Sequence, residues 1–484
     1  MKVAVIGSGP SGWAAYEKLR QLGHDVWILD AGLNASSENK IPVRSSKQGL
    51  THKLYFGSDL PYRDYPFGPK RFSNGVNPIS SFASGGLSLV WGATMLPYCE
   101  ADMKDWPIAF EELERHYSEI VNQIPVCGNQ DGLSDIYGDF FSRRGAFQSE
   151  RIVRFLERMS LNAPQQAVYG SSRLAVETGT QIQPGCNYCG LCLSGCPGGF
   201  IWSTQNSFCL AKVIQLRVLR LIDSGRFVQV FGLDYEGNEI SDLTFEKIFI
   251  AAGPVESFRI LANSSIVPKR VLLKDSATFF LPLFASPSLG RWRRDHLALS
   301  QSFVKIKHAN SDLHSQFQLY EYSENLISRA RKAIPFGTFL PKFFLHFFLR
   351  RMVVAIGYLD SSISPQIEMS LTEDGNLKLA IASKGVLIGE RNTSIRQAIL
   401  NFKKALTNSG LLPISFLTQF AAPGEGVHFG AWLPMGVSSD LTGRPTGCVN
   451  VHVVDSSVLP SIAPGPITFT VMANAMRIVE EACL

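Results

Sequence analysis

What this sequence lacks narrows its reading first. No apolar stretch reaches the roughly 18 residues that a membrane-crossing helix needs, so no transmembrane segment is predicted. Blocks of Lys and Arg are missing as well. A formal charge of +5 is spread along 484 residues, which gives no footing for nucleic acid as a partner. No charged leader, apolar core or cleavage site precedes the first apolar strand, so no signal peptide is expected and the cytoplasm is the predicted location. Cysteines number only nine, and in that compartment they are expected as thiols or metal ligands rather than disulfides.

What is present is the material of a well-filled globular protein. Some 45% of the residues are apolar and 18% charged, and the length exceeds what one core usually holds, so two or more lobes are expected. Lys2 to Ile6 is a short β-branched run suited to a parallel strand buried on both faces. It leads into a turn with Gly7, Gly9 and Gly12 in the spacing G-x-G-x-x-G. There the first glycine permits the tight turn, the second lets a phosphate approach the backbone, and the third allows close helix–strand packing. A helix from Ala14 to Leu22 comes after it, and the amides and dipole at a helix start hold an anion. A second strand runs from His24 to Leu29. Asp30 ends it, where a carboxylate can accept hydrogen bonds from a ribose, which favours FAD or NAD over NADP.

Further segments resemble the glucose–methanol–choline (GMC) oxidoreductases. Asp30-Ala31-Gly32 is similar to that family's ending of the second strand. Gly85-Gly86-Leu-Ser88-Leu-Val-Trp91-Gly92 resembles the loop that passes the flavin ring, and Asp105-Trp106-Pro107-Ile108 resembles the family's segment just after that loop. The run from Ile248 to Ser257, with Ala252 and Gly253, resembles the strand and turn that close the FAD domain. His428 to Gly436 resembles the family's histidine segment. Asp455, the start of the last helix at Thr468, Thr470 and Arg477 resemble its closing flavin-binding elements. The resemblance implies an α/β fold with a discontinuous Rossmann-like FAD-binding domain and a substrate domain of antiparallel sheet with helices. The expected division is 1–100 and 201–267 for the FAD-binding parts, 101–200 for a flavin-covering segment, 268–420 for the substrate domain and 421–484 for the C-terminal segment. FAD would then be held by Gly7, Gly9, Gly12, Asp30, Gly85, Gly86, Ser88, Trp91, Gly92, Ala252, Gly253, Asp455 and Thr468.

The activity implied is oxidation of an alcohol or sugar hydroxyl by hydride transfer to the flavin, with His428 as base, since a neutral imidazole suits that task near pH 7. One position departs from the family. Where a second His or Asn is usual, counting back from Thr470 and Arg477, this chain has Pro466, which can neither donate nor accept through its side chain. That keeps two alternatives open: redox-neutral lyase or isomerase chemistry with a bound flavin, and a non-catalytic flavoprotein subunit. His452 sits in an alternating strand and is expected to be packed rather than catalytic.

Cys186, Cys189, Cys192 and Cys196, with Pro197 next, have the ferredoxin spacing C-x2-C-x2-C-x3-C-P, which predicts an iron–sulfur cluster of the 4Fe-4S or 3Fe-4S type. Zinc is the weaker rival, because structural zinc sites usually separate two C-x2-C knuckles by a longer loop. Similar cysteine loops occur in some bacterial dehydrogenases of the family, which implies a relay to a separate electron acceptor. The other cysteines read as small buried side chains. Finally, residues 336–351 combine six phenylalanines with Lys342, Arg350 and Arg351. This stretch is either a helix at a membrane interface, giving peripheral contact with the inner membrane, or a helix packed over the active site. The second is favoured, since a helix apolar all round is usually buried.

Overall fold

The computed structural model describes residues 1–32, 60–162, 166–180, 184–192, 196–208, 211–308, 312–323 and 342–484. At its centre is a five-stranded parallel sheet in the spatial order Val451–Val453, Lys247–Ile250, Lys2–Ile6, Asp25–Asp30, Lys212–Gln215. The first strand of the sequence is its middle strand, and Val3, Ala4 and Val5 are fully buried, as a continuous apolar run in a strand covered on both faces requires. The strands come from both ends and the middle of the chain, so the dinucleotide-type domain is discontinuous. The last helix, Thr468–Cys483, packs on the first helix, Pro10–Gln21, and on Glu111–Val121.

A three-stranded antiparallel meander, Arg217–Asp223, Val228–Leu233 and Glu239–Phe245, is appended to this sheet. Two apolar runs here are each divided between sheets. In the run over 215–221, Lys212–Gln215 belongs to the parallel sheet and Arg217–Asp223 to the meander. In the run over 243–251, Glu239–Phe245 closes the meander and Lys247–Ile250 turns back into the parallel sheet. Glu246 takes that corner, its carboxylate accepting the Lys2 amide at 2.5 Å. Side-chain period does not mark such a corner when both halves are apolar.

Two further sheets lie beyond. A mixed five-stranded sheet runs Phe429–Gly430, Arg270–Asp275, Ile367–Leu371, Leu377–Ile381, Arg71–Asn74, and a hairpin at Asp374-Gly375 joins its third and fourth strands. The larger sheet is antiparallel, with the spatial order Leu411–Pro413, Thr278–Ala285, Met352–Leu359, His314–Glu321, Ser302–Lys307, Ala167–Ser171; Gln419–Phe420 also pairs with Thr278–Ala285. One face of it is dry core. Phe279, Leu281 and Leu283 point into it with Phe317 and Phe402, and the rings of Phe317 and Phe402 stack at 3.8 Å. Phe402 comes from helix Ile388–Ala405. The alternate residues of the same strands face the opposite way, toward a large cavity.

Among the described residues no helix is long and apolar enough to cross a membrane. Of the phenylalanine-rich stretch, residues 336–341 lie outside the described residues, and Lys342–Leu349 is a helix. That helix is not buried all round: Leu345 and Leu349 are inside, whereas Phe347 is 69% exposed.

Candidate active site

The cavity, of about 850 Å³, runs from the carboxyl ends of the parallel strands to the free face of the large antiparallel sheet. Ligands of open α/β sheets bind at that edge. At one end it is lined by Gly7, Gly9, Asp30, Ala252 and Gly253, in the middle by Gly86, Ser88, Trp91 and Gly92, and at the other end by His428, Pro466 and Thr468. Asp455 lines it as well. Of the sequence-expected site residues on these elements, Gly12 and Gly85 do not line it.

The glycine turn shows why each glycine is where it is. Gly7 has φ +104°, and a Cβ there would meet the Ala251 carbonyl oxygen at 2.4 Å. A Cβ on Gly12 would stand 2.0 Å from the Gly7 oxygen, so Gly12 serves the packing of turn on helix. A Cβ on Gly9 would meet nothing within 4 Å; its surface is the cavity, which is the open approach a phosphate needs. The helix that starts here has Pro10 in its first turn and no side-chain cap, so its first amides are left to a ligand.

Asp30 is fully engaged by the chain itself. Its Oδ2 accepts the Ser8 amide and its Oδ1 the Gly32 amide, each at 2.8 Å. Burial raises its pKa, against the pull of these bonds. A carboxylate oxygen has a second lone pair, so these bonds fix the orientation of the group and leave acceptor capacity toward the cavity.

The ring-loop glycines are tied directly to the dinucleotide turn. The Gly85 amide donates to Ser8 Oγ at 2.8 Å, and Ser88 Oγ donates to the Gly85 carbonyl at 2.7 Å. The Thr204 amide donates to Ser88 Oγ at 3.1 Å, and Thr204 Oγ1 donates to the Ser8 carbonyl at 2.7 Å. This buried knot fixes Gly85 to Gly92 against the glycine turn. Nothing in the sequence singles out Ser8 and Thr204, because their only signal is their place in this knot. Trp91 is held by a bond from its Nε1 to the Trp202 carbonyl at 3.0 Å. Asp455 braces the far side: its Oδ2 accepts Ser257 Oγ and its Oδ1 accepts Ser457 Oγ, both at 2.5 Å.

At the other end His428 comes directly after Val427, a residue at φ +61°. Its ring lies 4.6 Å from that of Tyr358, and its Nδ1 is buried without a partner. Burial alone lowers its pKa from 6.5 to about 4, so the imidazole is neutral at pH 7. Pro466 lines the same cavity. The polar groups beside them are Thr278, Gln318, Tyr320 and Tyr358, with Tyr320 Oη donating to Gln318 Oε1 at 2.9 Å. No local motif marks these four. They meet because the register pairs Thr278 with Tyr358 on one side and sets Gln318 beside Ile356 on the other. His452 stays away from the cavity, stacked on Phe249 at 5.3 Å with Nδ1 against the Thr442 carbonyl.

Residues 193–195 of the cysteine run lie outside the described residues, and Cys192 stands beside the cavity wall. Cys192 is buried, and burial pushes its thiol up to about 12; the Ala298 amide points at its sulfur, and Ala298 lines the cavity. Cys189 is exposed, and Cys186 and Cys196 are half-buried. Tyr188 and Cys196 take left-handed backbone, with φ +56° and +36°, which costs energy outside glycine. Among the described residues, no three His, Cys, Asp or Glu side chains are gathered to hold a metal ion. Of the other cysteines, Cys99 and Cys127 are buried, Cys448 and Cys483 are half-buried, and Cys209 lies outside the described residues.

No protein-family model matches the sequence, and no curated protein matches it significantly. Solved structures do. Pyridoxine 4-oxidase from Mesorbium loti aligns with a TM-score of 0.63 at 14% identity, over 99% of this chain and 98% of that one. A formate oxidase of Aspergillus oryzae RIB40, in work on the modification of its FAD, aligns with a TM-score of 0.67 at 13% identity, over 99% and 97%. The chain therefore has the fold of these two oxidases from end to end.

Proposed function

We propose that the chain is an FAD-dependent oxidoreductase of the GMC family that oxidises an alcohol or sugar hydroxyl, with His428 as the base. The observation that carries this reading is the single cavity that joins the glycine turn to a buried, neutral histidine. The residues fit FAD. Gly9 leaves room for a pyrophosphate at an uncapped helix start, Asp30 is oriented for a ribose, and the Gly85 to Gly92 loop with Trp91 supplies a wall of backbone and ring for a flat aromatic system. When bound, the flavin would supply the acceptor for a hydride, that is for two electrons and one proton.

The chain's own part is proton handling and positioning. The His428 imidazole, neutral at pH 7, accepts the hydroxyl proton of the substrate. Gln318, Tyr320 and Tyr358 orient the hydroxyl beside it. The start of helix Thr468–Cys483, which no side chain caps, places its positive end at the cavity and favours negative charge gathering there. The neighbouring sheet face keeps water away.

For the electrons' exit, the ferredoxin spacing of Cys186, Cys189, Cys192 and Cys196 and the contact of Cys192 with cavity-lining Ala298 support a relay through a cluster. The four thiols are not gathered about one point in this structure, an arrangement that does not fit a bound cluster. The test is anaerobic mixing of purified protein with a panel of alcohols and sugars, reading flavin absorbance, together with iron and acid-labile sulfide analysis. Bleaching by a hydroxyl compound is expected. Protein with full flavin and no iron or sulfide removes the relay and leaves oxygen or a diffusing acceptor. A second reading, redox-neutral lyase or isomerase chemistry, is favoured by Pro466 alone. It predicts product formed without any acceptor and without bleaching.

A further inference from the structure

The cavity continues well past His428, and its far part has a different character. Along the free face of the large sheet, the pairs Thr278 with Tyr358, Phe280 with Ile356, Pro282 with Val354 and Phe284 with Met352 succeed one another. The first pair is polar and the rest are apolar. Six residues of strand separate Tyr358 from Met352, which is about 20 Å at the usual rise. The result is a groove leading away from the base, apolar along these two strands and flanked by Gln318, Tyr320 and Gln419 on the neighbouring ones, much longer than a sugar or a small alcohol would fill.

The groove comes to the surface under the phenylalanine-rich helix. Phe348 and Gln419 both line the cavity and are exposed. Around this mouth the exposed side chains are Phe347 at 69%, Phe416 at 83% and Leu412 at 59%. Leu412 is paired across the sheet with Phe284, whose ring lies 6.4 Å from that of Phe348; Phe347 adjoins Phe348 in the chain, and Phe416 adjoins cavity-lining Leu417. Single exposed apolar residues are ordinary, but a cluster at a cavity mouth marks a binding surface. Beside it stand Arg291, Arg293, Arg294, Arg350 and Arg351, with Arg350 4.9 Å from the Trp292 ring. Of the acids nearby, Glu150 is paired with Arg154 and Glu321 with Arg151, which leaves Asp295, so the collar is basic on balance.

We propose that this patch docks on an anionic lipid bilayer and that the substrate is an alcohol carrying a long apolar tail, drawn from the lipid phase along the groove to His428. The substrate half rests on the proposed oxidation; the docking half does not. A basic collar around an apolar patch matches a surface of anionic headgroups over acyl chains. A docked protein would stopper the groove, whereas a lipid phase covers the patch and fills the groove with the same material.

The test is sedimentation of the flavin-loaded full chain with vesicles of pure phosphatidylcholine or of phosphatidylcholine with about one third phosphatidylglycerol. Binding to the mixed vesicles is expected, several-fold weaker on the neutral ones. The double variant Phe347→Glu with Phe416→Glu should lose at least about tenfold in partitioning, with unchanged flavin content and Tm. No sedimentation, equal sedimentation of variant and parent, or a concentration-dependent dimer that the double variant abolishes would each overturn the docking. Anaerobic flavin reduction by dodecanol held in the vesicles should outpace reduction by butanol; the reverse order overturns the tail. Reduction by neither alcohol, with vesicle binding retained, overturns the tailed substrate and leaves the docking standing; the oxidation reading itself falls only if no compound of the alcohol and sugar panel bleaches the flavin.

Discussion

The two ends of the cavity are built on opposite terms. Around the glycine turn the chain satisfies itself: both oxygens of Asp30 accept backbone amides, and Ser8, Gly85, Ser88 and Thr204 close a buried hydrogen-bonded knot, while Arg217 Nε and Arg259 Nη1 near it stay unpaired. At the chemistry end buried polar atoms are left open, among them Nδ1 of His428, Oε1 of Gln316 and Oδ1 of Asp275. A buried unpaired group costs on the order of 1–3 kcal/mol, so a chain keeps such groups where something else gains from them. The first end is a mould already set around an anion, and the second is poised for a reacting group.

The sharpest way to break this comparison is to damage the mould at two depths. Gly12→Ala puts a methyl 2.0 Å from the Gly7 oxygen. The expected outcome is a chain that is insoluble or has no flavin, read as flavin absorbance per chain and as Tm. Gly9→Ala meets nothing within 4 Å, so it should fold with an unchanged Tm and lose only cofactor affinity. If both variants behave alike, the turn is a packing device and the mould reading fails.

The other end is tested by His428→Ala. Loss of a general base costs about 10²–10⁴ in rate, and the variant should keep its flavin, since His428 takes no part in the knot. The same residue predicts the pH profile. The base works only when neutral, so kcat/KM should fall as pH drops through about 4, well below the ordinary 6.5. An acid limb near 6.5 would show that the imidazole is solvated during turnover. A smaller effect is expected of Asp30→Asn. The amide can offer one oxygen where the carboxylate offers two to Ser8 and Gly32, and FAD affinity should drop about tenfold in an equilibrium titration.

How far each end is legible in the sequence tracks the same contrast. Gly7, Gly9, Gly12 and Asp30 are legible because their partners lie within one strand–turn–helix–strand unit, where spacing reports geometry. His428 and Pro466 are legible only through resemblance. Thr278, Gln318, Tyr320 and Tyr358 carry no local sign; strand register far along the chain brings them together. The strands Arg270–Asp275 and Thr278–Ala285 are hidden for a related reason. They succeed one another with barely a turn between them, yet belong to different sheets. The corner at Glu246 is masked by apolar residues on both sides.

Asp275 gives the finest test of the open end, because it sits behind His428 without touching the cavity. Its Oδ2 accepts the Gly424 amide at 3.1 Å, at the start of the loop that carries His428, while Ser276 donates its amide to the His428 carbonyl at 2.9 Å. Burial raises its pKa from 3.8 to about 7, against the amide of Gly424 and the charge of Arg391. A carboxyl whose folded pKa is raised binds its proton more tightly in the folded state. Its stabilising share is therefore complete below the unfolded value near 4 and is lost as pH rises through about 7. Asp275→Asn keeps an oxygen for Gly424 and carries no charge at any pH. The parent should lose stability between pH 4 and 7, by an amount of order 1–3 kcal/mol, and the variant should lose markedly less. Urea melts at a series of pH values measure the difference. Parallel curves for the two proteins would mean that Asp275 finds a counter-charge or water in the folded chain, and that the open end is less open than its geometry suggests.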